Sequence, residues 1–477
     1  MNRLIAGLLT VMLCLSAAGC TSPTTPQAGS NDPVNITVWT YYNGDTLASF
    51  EELLTQFNET VGRKEGIFVS SFSYGSVDEL EYSVLESAFG EAGASEMPDI
   101  FMAYADTAYT MNHLGLLVDL SEYMTDEELD LYIDGYIREG DLTGTGELKI
   151  FPTAKSTEVF CMNKTDWDKF SAATGASLTS LATMEGLMDT AAAYYEWTDS
   201  LTDTPNDGKA FFGYDAMDNY FLIGAMQLGT EIFRSEDGVG NINFDRDTVR
   251  KLWDSFYVPF VKGHYITSGR FRSDDIKTGT AIAYVGSSSS ATYFPTQVIV
   301  SDTESYPIEM LALPCPQFEG GRSIAVQQGA GMAVTRGTER EITASIEFLK
   351  WFTAPENNIT FSVNSGYLPV TYAGSDLDAI LSSDAEISAN TEQVISVAVA
   401  TVTERQLYTP RAFSGGTAAR NILKYSLTDR AVADRAAVLA ACAEGVSMED
   451  ALAEYLSDEA FDRWYEETNL LLQECIQ

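Results

Sequence analysis

The sequence is poor in histidine, in positive charge and in paired cysteines. Only two histidines, His113 and His264, occur among 477 residues. That leaves little for histidine-based catalysis or a multi-histidine metal site. Lys and Arg number 28 against 69 Asp and Glu, a formal net charge of −41. A chain of that sign is repelled by phosphate backbones and by anionic membrane surfaces, which argues against nucleic-acid partners and charge-driven membrane contact. Beyond the leader, Cys161, Cys315, Cys442 and Cys475 show no C-x-x-C spacing, so zinc or thioredoxin chemistry is not expected. Cys442 and Cys475 lie on neighbouring helical patterns and can pair; free buried thiols are the plainer expectation. The nucleophile-elbow, H-E-x-x-H and phosphate-loop patterns are missing. Asp203–Gly208 resembles a calcium loop only faintly, because Pro205 takes a ligand position and no Glu closes it. With so many acids, no carboxylate pair stands out for glycosidase chemistry. No catalytic residue, metal or cofactor is therefore expected.

What is there is apolar and aromatic: 45% apolar residues, with 24 Tyr, 24 Phe and 6 Trp. The length suits two to three domains with large cores. Residues 1–20, MNRLIAGLLTVMLCLSAAGC, combine Arg3, an apolar run Leu4–Leu15, small residues and Cys20. The run is too short for a stable bilayer span. The stretch resembles a bacterial lipoprotein signal, which implies removal of residues 1–19 and acylation of Cys20. The plainer alternative is an ordinary secretory signal. Residues 20–34 are rich in Ser, Thr, Pro and Gly and read as a flexible tether to a membrane.

The body opens with strand-like Ile36–Trp39, a helix whose Phe50, Leu53, Leu54 and Phe57 recur at helical spacing, and a strand at Ile67–Phe72. A helix over 77–91, a strand over 98–102 and a short helix from Thr107 follow. This alternation predicts an α/β protein with a parallel sheet. Residues 150–163 form a long extended crossover. Further helices are expected over 178–197, 218–234 and 243–260, with strands at 281–285, 308–313 and 331–334. From Glu339 the chain reads as mostly helical, with Pro355 opening one helix and Gly366 closing it.

The segment Gln327–Val370, QQGAGMAVTRGTEREITASIEFLKWFTAPENNITFSVNSGYLPV, together with ITVWTYYNG, PDIFMAY, STEVFCMNK and GVSMEDAL, resembles the family 1 extracellular solute-binding proteins of ABC importers. The resemblance spans nearly all of the mature chain. It implies the type II periplasmic-binding-protein fold, two α/β lobes joined by crossover strands with a ligand cleft between them. The expected lobes are 35–154 plus 287–336 and 155–286 plus 337–477. It also implies a lipid-anchored protein outside the cytoplasm that hands a solute to permease subunits, monomeric and without catalysis. The GYLPV element and the serine run resemble the glycerol-3-phosphate-binding branch. That branch carries a carboxylate where this chain has Ala105, so a carbohydrate or carbohydrate-derived solute is the favoured ligand. A secreted carbohydrate-active enzyme or a surface sensor is the competing class.

Candidate ligand residues follow from position and chemistry. Trp39, Tyr41 and Tyr42 sit at the carboxyl end of the first strand, where open α/β sheets bind ligands, and flat rings stack on sugars. Tyr104 and Asp106 follow the third strand; Asp106 can accept hydroxyls or simply cap a helix. Ser156 in the crossover corresponds to a ligand-donating serine of the family. Ser288 and Ser289, within Ser287–Ser290, offer hydroxyls to an anion, or form a plain solvated loop. Gly329 permits close backbone approach or marks a bulge. Tyr214 and Tyr220 are further aromatic candidates, whereas Trp167, Trp253, Trp351 and Trp464 fit a core. Tyr367, and Arg411 as a bidentate partner for phosphate or carboxylate, complete the set.

Overall fold

A computed structural model describes residues 33–476 apart from 237–238, 269–270, 384–386 and 410–411. The leader, Cys20, most of the tether and Arg411 therefore lie outside the described residues. Among the described residues no helix is long and apolar enough to cross a membrane.

The expected alternation produces a first sheet of four strands, ordered Gly331–Val334, Ile100–Ala103, Val34–Thr40, Ile67–Ser73. Val34–Thr40 pairs in parallel with both neighbours, and Gly331–Val334 returns antiparallel to Ile100–Ala103. Ile36 and Val38 point into a core completed by Phe50, Leu53 and Phe57 from the helix Gly44–Phe57. That helix starts after Asn43 with no side-chain cap, so Asp45 lies within its first turn.

A second sheet is ordered Met310–Pro314, Glu158–Asn163, Ala283–Ser287, Phe212–Tyr214. Glu158–Asn163 is buried on both faces, which explains the apolar run Val159–Met162 within it. Phe160 and Met162 enter one core with Trp167, Phe212, Trp253 and Trp464. Val159 and Cys161 enter another with Tyr284, Met310 and Val394.

Two expected lobe boundaries do not follow this packing. Met310–Pro314 pairs along Glu158–Asn163 in the second sheet, although it lies in the span expected with the first lobe. The helix Glu339–Phe352, expected with the second lobe, places Ile342, Ile346 and Phe348 in the first core. In each case the apolar face decides the partner, not the position in the chain. Tyr220, Trp167, Trp253 and Trp464 are buried in the second core and Trp351 packs against the first. The helix Met217–Gln227 is shorter than its pattern because Gly229 adopts φ +96° just beyond its end. Pro355 and Gly366 bound their helix as expected.

The chain passes between the lobes through short extended segments that pair with one another. Phe151 bridges Met332, Lys155 bridges Leu368, and Ser156 bridges Gln328. Ile324–Val326 pairs in parallel with Gln406–Tyr408. The described cysteines are all free, including Cys442 and Cys475.

Candidate functional site

A cleft of about 480 Å³ opens between the lobes, floored by the paired crossovers. Its first-lobe wall is built from helix starts. Asp78 and Glu81 lie in the first turns of Val77–Phe89, and Asp106 is the second residue of Ala105–His113. Acids are favoured at such positions by the helix dipole. Burial still raises the pKa of Glu81 and of Asp106 above the ordinary carboxylate range, and Arg420 opposes the shift at Asp106. The Thr107 hydroxyl donates to Glu81 at 2.8 Å.

The second-lobe wall is one face of the long helix Gly416–Ala443. Thr417, Arg420, Asn421 and Lys424 recur at helical spacing and line the cleft. Ala419, Leu423 and Leu427 hold the opposite face in the core. Gly416 lets the helix start close to the first lobe: a Cβ there would lie 3.0 Å from Asp106 Oδ1. The Thr417 hydroxyl donates to Asp106 Oδ2 at 3.1 Å, which links the two walls directly. Arg420 donates to Asp218 at 3.3 Å on its own lobe.

Tyr104 and Tyr367 supply rings. Tyr104 stacks on Tyr41 with centroids 6.4 Å apart, and Tyr367 lies against Tyr42 and Phe361. Burial raises the hydroxyl pKa of Tyr41, Tyr104 and Tyr367. All three therefore stay protonated and able to donate. At the floor, the Lys155 ammonium is fully buried, pairs with Glu139 and donates to the Gly329 carbonyl at 2.8 Å.

Of the residues expected from sequence, Tyr104, Asp106, Ser156, Ser289, Gly329 and Tyr367 line the cleft. Tyr41 supports Tyr104 from behind, and its hydroxyl accepts from the Ala330 N–H at 3.4 Å. The remaining described candidates lie elsewhere. Trp39 faces the other side of its strand with Asn35 and Thr37, lining a separate depression against Tyr74. Tyr42 is core. Tyr214 is buried and donates to Glu158 at 2.7 Å. Ser288 is buried too; it accepts from the Thr157 N–H at 3.4 Å and its own N–H donates to the Thr157 carbonyl at 2.7 Å. It fastens the crossover rather than a ligand. Ser287 and Ser289 share a hydroxyl hydrogen bond of 2.9 Å, and Ser290 donates to the Ser287 carbonyl, so the run largely satisfies itself. Gly329 does meet the expected need for close approach, with φ +91°, but what its missing Cβ admits is the Ala154 carbonyl at 2.9 Å. Sequence reasoning missed Glu81, Glu139, Asp218, Arg420 and Lys424. The one available signal was the polar stripe at 417, 420, 421 and 424.

Behind the second-lobe wall stands Glu158, the first residue of its strand. It accepts from Tyr214 and from the Asn219 amide at 3.0 Å, and burial raises its pKa to about 7.

Two lobes, paired crossovers and a polar cleft with tyrosine walls are the frame of a protein that holds a small molecule between its lobes. The family profile described as bacterial extracellular solute-binding protein matches residues 52–389, and the chain belongs to that family. Proteins of that family are binding proteins that act outside the cytoplasm. No curated protein sequence matches it. A cyclic alpha-maltosyl-1,6-maltose binding protein from Arthrobacter globiformis superposes with TM-score 0.67 at 17% identity, covering 93% of this chain and 99% of that one. UgpB from Mycobacterium tuberculosis, in complex with glycerophosphocholine, gives TM-score 0.64 at 18% identity, with coverage of 93% and 99%. The GacH receptor of Streptomyces glaucescens gives TM-score 0.64 at 14% identity, with coverage of 92% and 99%. At these identities the likeness is one of fold.

Proposed function

We propose that the protein captures a carbohydrate or carbohydrate-derived solute between its lobes and delivers it to the permease subunits of an ABC importer. It does so as a monomer held to the membrane by a lipid on Cys20. The observation that carries this reading is the cleft lining: carboxylates and amides beside the rings of Tyr104 and Tyr367. Carboxylates accept from sugar hydroxyls, amides and Arg420 donate to them, and tyrosine faces stack on the ring. Sugar-binding neighbours of the same fold support it. A phosphoester fits less well, because Arg420 and Lys424 share the space with Asp78, Glu81, Asp106, Glu139 and Asp218.

A thermal-shift screen of neutral mono- and oligosaccharides, sugar phosphates and glycerophosphodiesters tests the ligand class, since binding to the native state raises the melting temperature. Neutral saccharides are expected to raise it; a response to phosphoesters alone would reject the reading. Recovery of the bound sugar unchanged is expected, and turnover would restore the enzyme alternative. Cys20→Ser is expected to release the protein from membranes, and unchanged partitioning would remove the lipid anchor.

A further inference from the structure

The crossover Val326–Gly329 carries two glutamines whose backbones are fully engaged and whose side chains are not. Gln327 N–H donates to the Tyr408 carbonyl at 3.3 Å, and its carbonyl accepts from the Thr409 hydroxyl at 3.3 Å. Gln328 exchanges both backbone bonds with Ser156, at 2.9 and 2.8 Å. Both side-chain amide oxygens are buried, and neither has a hydrogen-bond partner among the described residues. Gln327 itself is only 4% exposed.

Structural amides in the same molecule behave differently. Gln227 donates to the Ile324 carbonyl and accepts from the Phe318 N–H. Asn358 donates to the Thr153 carbonyl and accepts from the Val370 N–H. Each uses both ends of its amide to tie backbone together. A buried amide oxygen without a donor costs stability unless something outside the chain, such as a ligand or an ordered water, supplies the donor.

Both glutamines face the cleft. Gln327 also faces a second chamber of about 800 Å³, which shares Glu139, Phe233 and Tyr408 with the first. It therefore borders both spaces, as does the Glu139 carboxylate that Lys155 holds in place. An amide offers an acceptor and donors on one rigid plane, and a carboxylate adds acceptors. That set matches a pair of neighbouring hydroxyls, each of which both donates and accepts.

We infer that Gln327 and Gln328 are the residues that read the solute where the two spaces adjoin, engaging a vicinal diol of a saccharide that extends from one chamber into the other. The inference rests on the carbohydrate reading above. It adds which residues select the solute and that the solute is longer than one ring.

The test uses the mature protein and the series glucose, maltose, maltotriose and maltotetraose, with the xylose series through xylotetraose, measured by calorimetry alongside melting temperature. Affinity is expected to rise from one unit to three. Gln327→Leu and Gln328→Leu are expected to weaken the best saccharide by about 10- to 100-fold while leaving the ligand-free melting temperature unchanged or higher. Gln227→Leu, the comparison variant, is expected to lower that temperature and leave affinity alone. Wild-type affinity in both Leu variants, or a melting temperature that falls in them as in Gln227→Leu, would overturn the inference and leave the carbohydrate reading standing. A wild-type protein that binds single sugars as tightly as trimers would remove the extended solute. No response of the wild type to any saccharide would overturn both.

Discussion

Two buried glutamates meet one crossover, Glu139 from the helix Asp134–Gly140 and Glu158 within the crossover itself, and the protein keeps them in opposite ways. Glu139 on the cleft floor faces the Lys155 ammonium, with side-chain exposures of 6% and 0%. Glu158, on the far side of Ser156 and Thr157, accepts from two neutral donors, Tyr214 and Asn219, and burial, helped by the nearby carboxylates of Asp218 and Asp215, raises its pKa to about 7. The carboxylate that lines the cleft has a cation beside it, and the one behind the wall relies on burial and neutral donors.

The largest effect is expected from breaking the charged pair. Lys155→Met leaves Glu139 without its cation and is expected to cost about 3–5 kcal/mol in denaturant unfolding. Adding Glu139→Leu is expected to restore most of the loss while abolishing saccharide binding. A single variant as stable as the wild type would show that Glu139 is solvated rather than paired.

Glu158→Gln sharpens the other side. The folded-state pKa of Glu158 is raised from about 4.5 to about 7. Its contribution to stability is therefore full below pH 4.5 and is lost as pH rises through 7. The amide introduced by Glu158→Gln would keep the Asn219 bond and donate to the Tyr214 oxygen. The variant is expected to lack this decline and to exceed the wild type by up to about 3 kcal/mol at pH 8. Parallel pH–stability curves for the two proteins would reject the neutral glutamate.

Asp106 at the cleft mouth lies between these cases: burial raises its pKa, and Arg420 and Thr417 lower it. Arg420→Ala is expected to raise that pKa further and to weaken saccharide binding about tenfold, or about 1.4 kcal/mol, at neutral pH. Unchanged affinity in calorimetry would take Arg420 out of the site. Thr417→Ala removes only the hydroxyl that links the lobes and is expected to cost about 0.5–1.5 kcal/mol of closure, read as a larger radius of gyration in the ligand-free protein. An unchanged radius would assign closure to other contacts.

Much of the frame was legible before the structure because each element announces itself locally. Alternating and helical periods, Pro355 at a helix start and Gly366 past a helix end are short-range signals. Residues that follow strands of the first sheet also led to the cleft, as at Tyr104 and Asp106. The same rule failed at Trp39 because side chains alternate along a strand, and its parity puts it with Asn35 and Thr37 on the other face. The acids were not legible. Glu139 and Glu158 are two among 69 carboxylates, and only tertiary packing separates them from solvated ones. Arg420 was hidden in a polar stripe that reads as a solvated helix face until the first lobe is placed opposite it. The lobe boundaries failed for a related reason: Met310–Pro314 finds its partner far back along the chain, at Glu158–Asn163.

The pairing of the crossovers bears on how such a protein changes over evolutionary time. Gln328 and Ser156 are joined through their backbones, which any pair of non-proline residues can do. The joint between the crossovers is thus specified by main chain, while the side chains that line the cleft hang from it and from the first turns of helices whose opposite faces form the cores. Substitutions at the polar helix positions of the cleft, such as Thr417 and Asn421, leave the cores untouched, so selection can alter what is bound without redesigning what folds. Proteins sharing this architecture at 14–18% identity are the outcome expected of such a separation.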